Sequence, residues 1–294
     1  MRHHTCALLT LTITAVLWST GGVCIKLVAW DVLSIAGMRS AVAAIVIACM
    51  VPPRVRFPQH MTRYEVGAAI AYTLVMITFV AATKLTTAAN AILLQYTAPI
   101  YVALFSSWFL KEPVQRRDWV ALGVVCIGMV VFFCDSLAPS YAVGNILAIA
   151  SGVSFAWLVL FMRKHSYVNA RNSLVSSDGV FWGNVVTACV CMPAVIYSLA
   201  SGFIPSLQTL LGVVLLGVFQ IGVPYALYAR AIPHVSALEA ILFPILEPVL
   251  NPLWVALVIG EMPSIWSLLG GSIVIAAVTI RSIVASPNQR SVHG

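Results

Sequence analysis

One acid stands in the middle of a long apolar stretch. Glu247, in ILFPILEPVLNPLW, is flanked by Pro244, Pro248 and Pro252. An ionised acid at the centre of a membrane helix costs about 2.5–3.5 kcal/mol on insertion scales and more in simulations. Such a residue faces a polar cavity or pairs with a cation. The three prolines are spaced by four, so they stack along one side of a helix. Each lacks a backbone N–H, which leaves the carbonyls of Ala240, Pro244 and Pro248 without their usual partners. Irregular backbone at this depth is tolerated only within protein or beside water, and it makes a good lining for a binding site. Glu247 therefore reads as a residue that binds solute or couples a proton. The plainer reading is a structural acid, protonated or hydrogen-bonded to a neighbouring helix.

Arg39, early in the second apolar run, is the natural cation for Glu247. Three roles stand open for it: a structural bridge to Glu247, one half of a clasp on the two ends of a zwitterion, or outward snorkelling of its long side chain. Gln95 lies one turn before Pro99 and next to Tyr96, and Gln220 is the strongly polar residue at the centre of the eighth run. Both glutamines serve a solute or a neighbouring helix equally well. Trp18 and Phe155 sit centrally in the first and sixth runs. Tryptophan prefers membrane interfaces, where Trp30, Trp119 and Trp266 are expected, so a central Trp18 points to a cavity wall or to core packing.

The elements that hold these residues follow from composition. Charged residues are 9% of the chain and hydrophobic ones 61%, against about a quarter charged in a soluble domain. Mean hydropathy is +0.99. The apolar runs are about 17–23 residues long, the length a bilayer core asks of a helix. They are continuous rather than alternating, which argues against a barrel. The expected spans are 6–28, 33–51, 65–83, 87–109, 118–134, 143–163, 177–199, 209–230, 236–258 and 264–284. The first run is too long for a cleaved signal core.

Lys and Arg set the orientation. With a cytoplasmic N-terminus, Arg2, Arg54, Arg56, Arg63, Lys111, Arg116, Arg117, Arg163, Lys164, Arg171, Arg230, Arg281 and Arg290 all fall on the cytoplasmic side. Only Lys84 falls in an outer loop, while Lys26 and Arg39 lie within spans. Thirteen against one places both termini in the cytoplasm and supports the span count. The net charge of +7 is spread over short loops, which gives no footprint for nucleic acid.

The chain repeats itself. Ala82–Glu112 and Ala231–Glu261 share, without gaps, Ala82/Ala231, Ala88/Ala237, Ala91/Ala240, Ile92/Ile241, Leu93/Leu242, Pro99/Pro248 and Glu112/Glu261. Trp119 and Gly123 answer Trp266 and Gly270. More weakly, Val16/Val153, Trp18/Phe155 and Lys26/Arg163 match the first run to the sixth. Five spans in each half force the second half to enter from the opposite face. Inverted repeats suit alternating access, because one fold then supplies both inward-open and outward-open states. The expected architecture is an all-α membrane protein: residues 1–136 and 142–284 form two inverted five-helix repeats, and 285–294 a short cytoplasmic tail.

With AANAILLQYTAP…LKE and ALEAILFPILEPVLNPLW…GE, and Arg39 in AGMRSA, nearly the whole chain resembles the drug/metabolite transporter superfamily, specifically its EamA-type permeases. The resemblance implies passage of amino acids or other small metabolites through the cell membrane. The small multidrug relatives carry an essential acid in their first helix. This first run has none, so their proton–drug mechanism does not carry over unchanged.

Other residues carry less chemistry. Gly144, Ala148, Gly152 and Ala156, like Ala36, Ser40, Ala44 and Ala48, are small residues at every fourth position and read as packing seams. Glu112 and Glu261, at helix ends, are expected to anchor the turns into the next spans. The seven cysteines lie almost wholly in apolar runs and read as packing residues, without metal or disulfide. An intramembrane enzyme would want HExxH, GxSxG or an acid cluster, and the chain has none; its six histidines are terminal or in loops. A channel would not need inverted repeats. The expectation is a secondary transporter, an exporter, with no cofactor, working as a monomer or homodimer. Its partners are a small-molecule solute, protons and the lipid bilayer.

Overall fold

The computed structural model describes residues 2–50, 61–86, 88–132, 134, 142–168, 178–259 and 264–285. Every element among them is helical: α1 Arg2–Trp18, α2 Gly21–Leu27, α3 Val32–Met50, α4 Arg63–Leu85, α5 Ala88–Gln95, α6 Ala98–Phe105, α7 Arg116–Phe132, α8 Ala142–Val168, α9 Asp178–Ala200, α10 Leu207–Leu215, α11 Val223–Ala231, α12 Ala237–Leu242, α13 Leu246–Ile259 and α14 Ile265–Ala285. Two π-helical segments, Ser106–Leu110 and Leu216–Gly222, continue α6 and join α10 to α11. Two 3-10 turns, Ile232–His234 and Phe243–Ile245, bracket α12. The basic residues Arg54, Arg56, Arg171 and Arg290, together with His60, His293, Glu261 and the tail after Ala285, lie outside the described residues, as do the side chains of Arg2, Pro252 and Arg281.

Among the described residues, five helices are long and apolar enough to cross a membrane: Val32–Met50, Arg63–Leu85, Ala142–Val168, Asp178–Ala200 and Leu207–His234. Shorter apolar helices are His4–Trp18, Ala98–Leu110 and Leu268–Ala277. The burial pattern is the reverse of a soluble protein's. Ile45, Trp108, Tyr197 and Leu257 are exposed, while Arg39, Gln95, Asn184, Gln220 and Glu247 are buried. An apolar exterior around a polar interior belongs to a chain whose solvent is lipid. The protein is a multi-pass membrane protein.

Local chemistry explains where the helices start and break. α4 and α12 open on capping boxes, in which Thr62 and Glu65, and Ser236 and Glu239, exchange side-chain and backbone bonds. The first apolar run, expected as one helix over 6–28, is broken after Trp18. Ser19 Oγ donates to Val16 O at 2.6 Å and Thr20 Oγ1 to Leu17 O at 2.8 Å, just ahead of Gly21 and Gly22. Hydroxyls that bond the preceding turn and a glycine pair that follows are ordinary causes of a kink.

α4 packs on α8 and α9, α3 on α9, and α7 on α14. The small-residue ridge of α8 makes the close approach possible. A Cβ on Gly144 would lie 2.8 Å from the backbone carbon of Leu85, and one on Gly152 would lie 2.7 Å from the backbone oxygen of Gln95. On α3, Ala36, Ser40 and Ala44 are buried and Ala48 is half-buried. Trp30, in the turn between α2 and α3, is buried; it stacks on Phe203 and donates to Ser198 Oγ at 2.9 Å. One expectation changes. Glu112, expected to hold its own turn, pairs instead with Arg163 of α8 at 2.8 Å, because the end of the α6 run lies beside the end of α8.

Candidate solute-binding site

A small internal cavity is lined by Trp18, Arg39, Val75, Met76, Phe79, Gln95, Phe155, Gln220, Tyr225 and Glu247. Its volume of about 30 Å³ holds a few waters at most and falls far short of the roughly 300 Å³ at which small-molecule pockets begin. All ten lining side chains are buried. Six residues singled out in the sequence meet here from six helical segments: α1, α3, α5, α8, the second π segment and α13. A seventh, Tyr96, touches the site through Glu247.

Arg39 is fully buried. Nη1 donates to Gln220 Oε1 at 3.1 Å, and Nη2 points to Met76 O at 3.4 Å and Met76 Sδ at 3.6 Å. Among the described residues no ion pair joins Arg39 to Glu247, so the structural bridge, one of the three roles open to Arg39, is not made here. Nor does the side chain snorkel, since burial in α3 turns it inward. Arg39 Nε and Trp18 Nε1 are both buried donors without a hydrogen-bond partner in the structure. Two orphaned donors beside one cavity are costly unless an acceptor arrives.

Glu247 sits where the proline-rich run is irregular. Pro244 lies in the 3-10 turn between α12 and α13. Pro244 and Pro248 lack the N–H that would bond the carbonyls of Ala240 and Pro244, and a tyrosine donates to each, the Pro244 carbonyl also accepting from the backbone N–H of Leu246. Tyr228 Oη donates to Ala240 O at 3.1 Å, and Tyr96 Oη to Pro244 O at 2.6 Å. Tyr96 Oη also lies 2.7 Å from Glu247 Oε2. One phenol proton serves two acceptors while Glu247 is ionised. Once Glu247 is protonated, its O–H donates to Tyr96 Oη and the phenol donates wholly to Pro244 O. The same three oxygens are satisfied in both states, which suits a site that takes up and gives back a proton.

The fourth run breaks at Tyr96–Thr97, between α5 and α6, three residues ahead of Pro99. Gln95 points from that break toward α8, and its Nε2 donates to Ser151 Oγ at 2.8 Å. Gln220 falls in the π segment, a helix irregularity frequent at functional sites. Gly21 leaves room for it, since a Cβ there would lie 2.8 Å from Gln220 Nε2. The aromatic wall is larger than Trp18 and Phe155, whose ring centroids are 5.9 Å apart. Tyr225 and Tyr228 join it, 4.9 and 5.3 Å from Trp18. The sequence reading missed both; the signal was VPYALYAR, two tyrosines three apart behind a proline, which share a helix face.

The EamA-like transporter family model matches residues 5–134 and again 142–283. The chain belongs to the EamA-like transporter family and is a membrane transporter. It is 27% identical over 270 residues to an uncharacterized transporter of Archaeoglobus fulgidus, covering 92% of this chain and 94% of that one. It is 27% identical over 195 residues to the uncharacterized transporter YdfC of Bacillus subtilis, covering 66% of this chain and 62% of that one. The pseudopaline exporter CntI of Pseudomonas aeruginosa is 29% identical over 196 residues, 64% of each chain. The matches to YdfC and CntI thus span less than two thirds of those relatives. A solved crystal structure superposes with a TM-score of 0.74 at 20% identity, over 96% of this chain and 98% of that chain, a likeness of fold.

Proposed function

We propose that this protein is a secondary-active exporter of small metabolites of the amino-acid class, working by alternating access around the buried cavity. The observation that carries the reading is the composition of that cavity: Arg39 and Trp18 with unused donors, the carboxyl of Glu247, and the aromatic rings of Trp18, Phe155 and Tyr225 all line it. A carboxylate meets Arg39 Nε and Trp18 Nε1, and an ammonium meets Glu247. Gln95 and Gln220 hold the two ends in register. Glu247 exchanges its proton with solute, so the proton gradient drives the cycle. The name of CntI as an exporter lends support to the outward direction.

In this reading all ten helical runs cross the cell membrane, with both termini cytoplasmic. Residues 1–136 and 142–284 are inverted repeats that rock against each other. The double match of the family model supports the two units, and the bias of Lys and Arg supports the orientation.

The test is solute exchange by purified protein in liposomes, with labelled amino acids and other small metabolites, with and without a pH gradient. Saturable exchange of a carboxylate-bearing class, accelerated by the gradient, is expected. Exchange confined to solutes without a carboxylate would overturn the assignment of Arg39 and Trp18, and exchange indifferent to pH would remove the proton.

A further inference from the structure

Arg163 is the hub of a second polar cluster, away from the cavity. Its Nε donates to Glu112 Oε1 at 2.8 Å, and its Nη1 donates to Ile232 O and Pro233 O, each at 3.0 Å. Glu112 Oε2 accepts from the backbone N–H of Ala237 at 3.1 Å. Next to it, Lys164 Nζ donates to Phe109 O at 2.8 Å. The Arg163 and Glu112 side chains are only 14% and 15% exposed, so water screens the pair poorly.

The cluster binds together the ends of elements that line the cavity further in. Arg163 lies eight residues beyond Phe155 on α8, about 12 Å at the helical rise. Glu112 ends the run that carries Gln95 and Tyr96. Ile232 and Pro233 follow Tyr225 and Tyr228, and Ala237 opens the run that carries Glu247. Arg163 and Glu112 therefore join the first half of the chain to the second across one end of the cavity.

The other end carries a matching arrangement with different chemistry. Lys26, which corresponds to Arg163 in the internal repeat, donates from Nζ to Thr86 O at 3.0 Å, in the turn just before α5. Arg163 likewise reaches carbonyls in the turn just before α12. Lys84 Nζ donates to Val28 O at 2.8 Å. Lys26 and Lys84 thus bond to neutral carbonyls and, among the described residues, to no carboxylate. Of these two arrangements, among the described residues, the Arg163 one joins a cation to a carboxylate and the Lys26 one does not, and a shielded pair that must part leaves both charges short of partners.

We propose that the Arg163–Glu112 ion pair is a latch that closes the cavity at its own end, and that it must break each time the protein opens there. The latch rests on the carrier reading above. A reporter lies just behind it: Val159, one turn before Arg163 on α8, is fully buried. Val159→Cys is placed in the otherwise unchanged protein in nanodiscs. Its labelling by a charged maleimide is measured above the background of the seven native thiols.

Glu112→Gln is expected to speed labelling of Val159→Cys about tenfold or more, because it removes the charge from the pair and keeps the length of the arm. Lys26→Gln, at the far end, is expected not to speed it. Equal rates with and without Glu112→Gln overturn the latch, and so does a Lys26→Gln variant that is labelled as fast as Glu112→Gln. If Glu112→Gln is not recovered folded, Glu112→Asp, which shortens the arm by one methylene, gives the same comparison. Solute exchange is measured alongside. Exchange with unchanged labelling removes the latch and keeps the carrier, whereas faster labelling in a protein whose parent exchanges nothing keeps the latch and removes the carrier.

Discussion

Replacing Arg39 by lysine tests the site most directly, because it keeps the charge and removes the fork. The arginine spends Nη1 on Gln220 Oε1 at 3.1 Å and Nη2 on Met76, and has Nε left for a solute. Lysine has one nitrogen on a shorter arm. If that nitrogen takes over the Gln220 contact, the solute carboxylate loses one charge-assisted hydrogen bond, a loss of about 1.5–3 kcal/mol. At about 1.4 kcal/mol per tenfold, the half-saturation concentration should rise roughly ten- to 150-fold. The assay is counterflow in liposomes with an exchanged amino acid and its carboxamide, which has no carboxylate to lose. The acid should weaken by that factor and the amide by much less. An Arg39→Lys carrier that is folded and takes up the acid with the parent's half-saturation, within about twofold, would refute the argument that Nε recognises solute.

Three further outcomes follow from the geometry. Gly152→Ala places a methyl 2.7 Å from Gln95 O, a backbone atom that cannot swing aside; overpacking of about 1–3 kcal/mol should lower the melting temperature by several degrees and slow exchange. Gly123→Ala, which meets nothing within 4 Å, should leave both unchanged or raise stability slightly, and equal behaviour of the two variants would contradict the close approach. Tyr228→Phe strands the carbonyl of Ala240 and should cost about 1–3 kcal/mol, read as a lower thermal midpoint in detergent. Glu247→Gln, which carries no exchangeable charge, should leave a folded protein in the membrane whose exchange no longer responds to a pH gradient; gradient-driven uptake at the parent's rate would take Glu247 out of the mechanism.

Much of this was legible before any coordinates, and the reasons differ by residue. Helical runs announce themselves by apolar length; the capping boxes Thr62-x-x-Glu65 and Ser236-x-x-Glu239 carried a signal that went unread. Glu247 and Gln220 stood out because a polar group at membrane depth must be surrounded by protein. What stayed hidden depends on rotation and on distant partners. Depth along two helices put Arg39 opposite Glu247, but depth says nothing of the angle about the helix axis, and that angle sends Arg39 to Gln220. The break at Ser19–Thr20 was hidden because hydrophobic length masks a local competition for carbonyls. Glu112 looked like a local anchor because its true partner lies 51 residues away, in the other half.

The tyrosines that satisfy the proline-freed carbonyls have a consequence for how the chain is made. An ordinary membrane helix is complete in itself and can form as it enters the bilayer. The α12–α13 run is not, because the carbonyl of Ala240 is bonded by Tyr228, 12 residues away, and that of Pro244, besides the backbone N–H of Leu246, by Tyr96, 148 residues away. Its regularity is borrowed from helices synthesised earlier. The last third of the protein should therefore order only against a preassembled front, and a chain released without Tyr96 in place would carry an inserted but unfinished helix, the kind of segment that quality-control proteases find first.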